Sequence, residues 1–202
     1  MSRLAACLLG AAALAGCRAD HYGLVDMHRR NPRIVLEMRY AGRDNFTHQA
    51  LYDRAECWLN AVAAARLDAV EPDLERQGLR LKVWDCYRPL SVQRKFWALV
   101  PDERYVADPS KGSRHNRGAA VDLTLVRTDG TELAMPTPHD DFSIRAHRDF
   151  MDLPPALLAN RGLLERVMLK HGFVPFPTEW WHFDSEGWES FPVLDVDFSS
   201  LR

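Results

Sequence analysis

An α+β domain, with a small antiparallel-rich sheet and flanking helices, is the expectation from three features of this 202-residue chain. Helical apolar periodicities are mixed with short strand-like runs, without the regular rhythm of a doubly wound βαβ sheet. The composition, 47% hydrophobic and 27% charged, is that of a globular chain. The length suits one domain that can bury a core without a disulfide scaffold. A formal net charge of -2 and the lack of a long basic run argue against a nucleic-acid partner. No repeat or low-complexity segment interrupts the chain.

The first residues stand apart. "MSRLAACLLGAAALAGC" has a basic start at Arg3 and an apolar run from Leu4 to Ala15. That run is too short to span a membrane and fits a secretory leader. It closes on "LAGC", which resembles a bacterial lipobox. Residues 1–16 are then expected to be cut off as a lipoprotein signal peptide, and Cys17 to be lipidated. Arg18, in place of Asp, suits outer-membrane sorting. The expectation is a protein anchored on the periplasmic side of a bacterial membrane, the alternative a soluble periplasmic protein. A single domain over 17–202 follows, with about 17–30 as a tether. Cys57 and Cys86 remain, as a possible disulfide in an oxidising compartment or as two buried thiols.

The elements follow in order. "RIVLEMRY" (33–40) predicts an early strand and "GRDNFTHQALYDR" (42–54) a loop. Trp58, Leu59, Val62, Ala63, Leu67, Val70 and Leu74 make a helical stripe, with Asp53 as N-cap, a break or kink at Pro72 and an end at Gly78. "LRLKVWDC" (79–86) alternates as a half-buried strand does, and a helix starts after Pro89. "AAVDLTLV" (119–126) is a strand carrying Asp122. "NRGLLERVMLKHG" (160–172) is a helix closed by Gly172, and short strands follow at "FVPF" and "WWHFD".

Asp122 is the anomaly, because a carboxylate in an apolar strand is costly unless a positive partner meets it. His115, seven residues earlier, and His182 in "TEWWHFD" are metal-ligand types. Three protein ligands are what a catalytic zinc takes, leaving one position open. Glu179 lies three residues before His182 and could act as a base. In a flat strand residues three apart face opposite sides, so Glu179 and His182 meet only if the chain turns between them.

"SRHNRGAAVD" (113–122) matches the S-x-H-x-x-G-x-A-x-D signature of the zinc peptidases grouped with Sonic hedgehog and the D-Ala-D-Ala carboxypeptidases. "EWWH" matches their Glu-x-x-His element. "RYAGRDNFT" (39–47), "VWDCYRP" (83–89) and "MPTPHDDFS" (135–143) resemble one branch, the D-alanyl-D-alanine dipeptidases of the vancomycin-resistance type. The resemblance spans about residues 33–184. It implies the hedgehog/D,D-peptidase-like fold and one zinc ion per chain on His115, Asp122 and His182. It makes Glu179 the general base and Arg88 the transition-state arginine. Asp140, Tyr40 and Ser113 fall where the family lines its dipeptide pocket, Asp140 for the ammonium and the other two as hydroxyls. Pro136 and His139 depart from the family's Gly and Phe.

The implied activity is hydrolysis of the dipeptide D-Ala-D-Ala, with zinc-bound water as nucleophile. The rivals are a D,D-carboxypeptidase or peptidoglycan endopeptidase working on longer peptides, and a non-catalytic zinc-binding module. Glu179 and Arg88 argue against the last, since zinc binding alone needs neither. His139 lacks a paired motif, and His21, His28, His48, His147 and His171 are read as surface or core residues. Trp180 and Trp181 are expected in the pocket wall and core. Oligomeric state is left open.

Overall fold

The computed structural model describes residues 19–202, so the leader and Cys17 lie outside the described residues. The chain begins with β1 (Leu24–Asp26) and α1 (Met27–Arg30), where Asp26 accepts the backbone N–H groups of His28 and Arg29 as a cap. β1 pairs antiparallel with β3 (Trp58–Asn60). Leu24, Val25 and Met27 are buried, so residues 24–30, expected in a tether, belong to the fold.

The main sheet runs β2 (Val35–Leu36), β4 (Leu79–Asp85), β5 (Ala120–Arg127), β7 (His182–Ser185) and β6 (Phe173–Pro175) in spatial order. β2 pairs parallel with β4 and the other neighbours are antiparallel. The α+β expectation holds. α2 (Ala61–Glu75) packs on β4 and against α4 (Pro155–Lys170), and α4 packs on β6. Leu67, Val70 and Leu74 of α2 and Leu164, Val167 and Met168 of α4 close one core with Leu81, Val83, Leu123 and Leu125 of the sheet. A second apolar cluster gathers Tyr40, Tyr52, Tyr87 and Phe198 around Val92 and Phe96 of α3 (Leu90–Leu99).

Several local expectations change. The early strand shrinks to Val35–Leu36, and Arg39–Ala41 form a 3₁₀ turn that buries Tyr40. Trp58 and Leu59 fit a helical stripe but lie in β3, because β1 supplies a pairing edge that local periodicity does not reveal. The helix starts at Ala61, capped by Asn60, whose side-chain oxygen accepts from Ala63 N at 2.9 Å; Asp53 is not the cap. Val62 is exposed. Pro72 does not end the helix: it lies inside the last turn, where it has no N–H to donate to the i−4 carbonyl, and α2 continues to Glu75. Gly78, at φ 69°, then turns the chain into β4. The second long helix begins at Pro155, earlier than expected.

Two features shape the sheet's active end. Cys57, just before β3, and Cys86, just after β4, form a disulfide with Cα atoms 5.2 Å apart, which resolves the thiol alternative. The β4–β5 register slips between Val83 and Asp85, so Trp84 and Asp85 together oppose Asp122. Such a bulge re-aims side chains at a sheet edge.

Candidate active site

The register builds the site. Asp122 of β5 lies opposite His182 of β7 on one side and opposite Asp85 of β4 on the other. Directly opposed residues share a face, so three adjacent strands set Asp85, Asp122 and His182 in a row. His115 enters from a 3₁₀ turn (His115–Arg117) that ends at Gly118, at φ 57°. A Cβ on Gly118 would stand 2.7 Å from Leu24 Cδ2 and 2.9 Å from Asn60 N. That close approach explains the glycine of the signature: it lets the turn press on β3 while aiming His115 at Asp122.

The ligand atoms converge. His182 Nδ1 is 3.0 Å and His115 Nε2 3.4 Å from Asp122 Oδ1, and the two imidazole nitrogens are 3.2 Å apart. Each ring is oriented from behind. His115 Nδ1 lies 2.7 Å from Cys86 O and His182 Nε2 lies 2.9 Å from Asp184 Oδ1. A carbonyl and a carboxylate only accept, so each of those nitrogens is the donor and its opposite nitrogen presents a lone pair. Two lone pairs and a buried carboxylate oxygen therefore face one point, and Asp122 Oδ1 accepts no hydrogen bond. A cation is the group that satisfies this arrangement, and the two-imidazole, one-carboxylate donor set suits zinc.

The electrostatics agree. Burial opposes charge on Asp122, yet the neighbouring imidazoles, His115 foremost, hold its carboxyl well below the usual range. Burial also works against a charged His182, but Asp184 and Asp122 override it and push the ring up to about 10. Without a metal the cluster recruits protons instead. Glu179, the candidate base, is pushed up to about 8, chiefly by burial.

Glu179 precedes β7 in a turn closed by His182 N donating to Glu179 O at 3.3 Å. That turn supplies the bend the flat-strand argument required, and Glu179 Oε2 stands 3.7 Å from His182 Nδ1. Arg88 is buried and held by a fork on Asp85 Oδ2 (Nη2 2.6 Å, Nε 3.1 Å) and by Gln93 Oε1 at 2.7 Å from Nη1. Its cation lies 4.4 Å from the Phe96 ring centre. Of its five N–H groups these bonds leave one on each Nη.

Glu179, Arg88, His115, Asp122 and His182 all line one cleft. Tyr40, Ser113 and Asp140 line it too, with Phe46, Phe142, Phe176 and Trp181 as apolar walls. The two hydroxyls orient neighbours: Tyr40 donates to Asp140 Oδ1 at 2.9 Å, and Ser113 Oγ accepts from His115 N at 3.2 Å. Phe46 N donates to Asp140 Oδ2 at 3.3 Å. Asp140 sits at φ 62°, a left-handed conformation that Asp tolerates better than most residues. Burial raises its carboxyl above the ordinary value. Trp180 is core, its indole N–H bonded to Thr137.

Asp85, Gln93 and Asp184, none of them among the sequence candidates, hold Arg88 and His182 in place. Asp184 was signalled, since residues two apart on a strand share a face and "HFD" puts it beside His182. His139 is also nearer than expected. It is outside the ligand trio, but its Nε2 lies 3.6 Å from Asp122 Oδ2 and 3.5 Å from Asp140 Oδ1.

Taken together, the fold and the site define a metal-dependent hydrolase. The chain belongs to the peptidase M15 family described as D-Ala-D-Ala dipeptidase, whose model matches residues 20–198. It is 38% identical over 181 residues to the D-alanyl-D-alanine dipeptidase of Escherichia coli (strain K12), covering 90% of this chain and 94% of that one. It is 30% identical over 195 residues to the D-alanyl-D-alanine dipeptidase of Enterococcus faecium, covering 82% and 92%. A solved vancomycin-resistance D,D-pentapeptidase VanY in complex with Zn(II) superposes with a TM-score of 0.43 at 16% identity, over 66% of this chain and 76% of that one.

Proposed function

We propose that this protein hydrolyses D-Ala-D-Ala to two molecules of D-alanine, with one zinc ion held by His115, Asp122 and His182. The observation that carries the reading is the convergence of three ligand atoms beside a buried Glu179 and a forked Arg88 in one cleft. When bound, zinc supplies a Lewis acid that polarises a carbonyl and acidifies water. Glu179 accepts the proton of the attacking water as the new C–O bond forms, and returns it to the leaving amine as the C–N bond breaks. Its burial favours the protonated form, and a cation on the neighbouring ligands acts the other way, keeping the carboxylate ready as a base. The free N–H groups of Arg88 stabilise the developing oxyanion, with Asp85 and Gln93 holding the guanidinium in place. Asp140, fixed by Tyr40 and Phe46 N, binds the substrate ammonium.

The aromatic walls beside Asp140 favour a dipeptide over a longer chain, whose preceding residues would run into them. The test offers purified protein with zinc D-Ala-D-Ala and, separately, a pentapeptide ending in D-Ala-D-Ala, each with and without a chelator. Chelator-sensitive release of D-alanine from the dipeptide alone supports the reading. Release from the pentapeptide alone supports a carboxypeptidase instead. Glu179→Ala is expected to keep its metal and lose about 10³-fold in kcat; near wild-type turnover contradicts the base assignment.

We further propose a lipid-anchored protein on the periplasmic side of a bacterial membrane, supported by the "LAGC" segment and by a disulfide that suits an oxidising compartment. Such a location favours recycling or scavenging of wall fragments over control of a cytoplasmic pool. Cys17→Ala is expected to move the protein from the membrane to the soluble fraction. A wild-type protein found in the cytosol with its first residues uncut contradicts this.

A further inference from the structure

A free dipeptide is a zwitterion, and the reading above gives a partner to its ammonium but not to its carboxylate. Among the described residues lining the cleft, Arg88 and Arg114 carry permanent positive charge. Arg88 is buried and engaged by Asp85 and Gln93. Arg114 differs. Its side chain is 31% exposed and its nearest carboxylate, Asp184 Oδ2, is 3.5 Å from Nε. Among the described residues none accepts a hydrogen bond from its guanidinium, and its buried Nε is unsatisfied. The group packs 4.7 Å from the Trp188 ring centre and 5.6 Å from that of Phe176, which fixes its plane while leaving the donor fork free.

A line of contacts connects Arg114 to Asp140, and both line the cleft. From Arg114 it passes to Asp184 (3.5 Å), to His182 (2.9 Å), to Asp122 (3.0 Å), to His139 (3.6 Å) and to Asp140 (3.5 Å). A cation stands at one end of the line, an anion at the other, and the ligands His182 and Asp122 between them. A substrate with its ammonium on Asp140 and its scissile carbonyl at the ligands directs its carboxylate toward the Arg114 end.

We propose that Arg114 binds the free C-terminal carboxylate of the dipeptide and sets the preference for substrates that end one residue after the cleaved bond. A guanidinium fork matches a carboxylate in two parallel hydrogen bonds. This rests on the dipeptidase reading, so the test separates the two. Steady-state kinetics compare D-Ala-D-Ala with its C-terminal amide for the wild type, Arg114→Gln and Arg114→Lys, with zinc content measured for each. The wild type is expected to prefer the acid. In Arg114→Gln that preference falls about 30-fold, the size of one hydrogen bond between charged groups, mainly through KM, with zinc retained. Arg114→Lys recovers part of it.

An equal fall on acid and amide, or a loss of zinc, makes Arg114 a prop for Asp184 and overturns the proposal. An unchanged preference overturns it as well. Hydrolysis of the dipeptide by the wild type keeps the dipeptidase reading intact in each of these cases. If the wild type hydrolyses neither compound, the reading fails and takes the carboxylate assignment with it.

Discussion

Two buried charged clusters sit side by side at the active end of the sheet, and they are completed in different ways. Asp85 and Arg88 are both nearly inaccessible, and the chain satisfies them itself: Asp85 accepts from Tyr52, Cys86 N and Arg88, while Arg88 adds Gln93. His115, Asp122 and His182 are equally buried, but Cys86 O and Asp184 turn the free imidazole nitrogens inward, toward each other and toward Asp122 Oδ1, which accepts no hydrogen bond. The first cluster is a finished ion pair and the second is a socket. Chain-supplied partners rigidify a catalytic arginine, whereas a missing partner specifies a cation.

The difference can be broken from either side. Asp122→Asn removes the charge that makes the socket a cation site, so metal binding and turnover are expected to fall to background; metal analysis of the purified variant checks it. Arg88→Ala attacks the finished cluster. It leaves Asp85 buried without its counter-charge, and should lower kcat by about 10²–10³-fold and stability by about 3–5 kcal/mol, read by kinetics and denaturant unfolding. Asp184→Asn keeps the ligand trio but weakens the hydrogen bond that orients His182. Metal affinity should drop about 10–100-fold, with the Arg88 cluster and overall fold unaffected, as a competition titration and circular dichroism will show.

The smallest effect is a difference in pH dependence. In the metal-free protein His182 is pushed up to about 10 and Glu179 to about 8. Both groups hold protons in the folded state that the unfolded chain has already released. Their contribution to stability is therefore lost as pH rises, for Glu179 from about 4.5 toward 8 and for His182 from about 6.5 toward 10. A cation replaces those protons, so the melting temperatures of metal-free and metal-loaded protein should diverge as pH increases. Parallel curves contradict the socket description.

The socket was the more legible cluster. His115 and Asp122 are tied by one short turn and His182 by a cross-strand register, so a compact sequence signature records them. Asp85 owes its position to a bulge and its partners to residues as distant as Tyr52, contacts that no local pattern encodes. The same holds for the fold. β4 is readable from its alternation, β5 from its apolar run and α3 from its start after Pro89. Trp58 and Leu59 were misread as helical because their strand depends on β1, which sits in a segment expected to be a tether. Asp140 was placed by family resemblance alone. Its closeness to Tyr40 comes from two loops meeting over the cleft, with the partners 100 residues apart in sequence.

The most direct measurement titrates metal-stripped protein with zinc while following heat, proton release and D-Ala-D-Ala hydrolysis together. The account predicts saturation at one zinc per chain, release of protons on binding, and dipeptidase activity that rises in step with occupancy. Full activity in the metal-free protein, or zinc binding that leaves the dipeptide untouched, contradicts it.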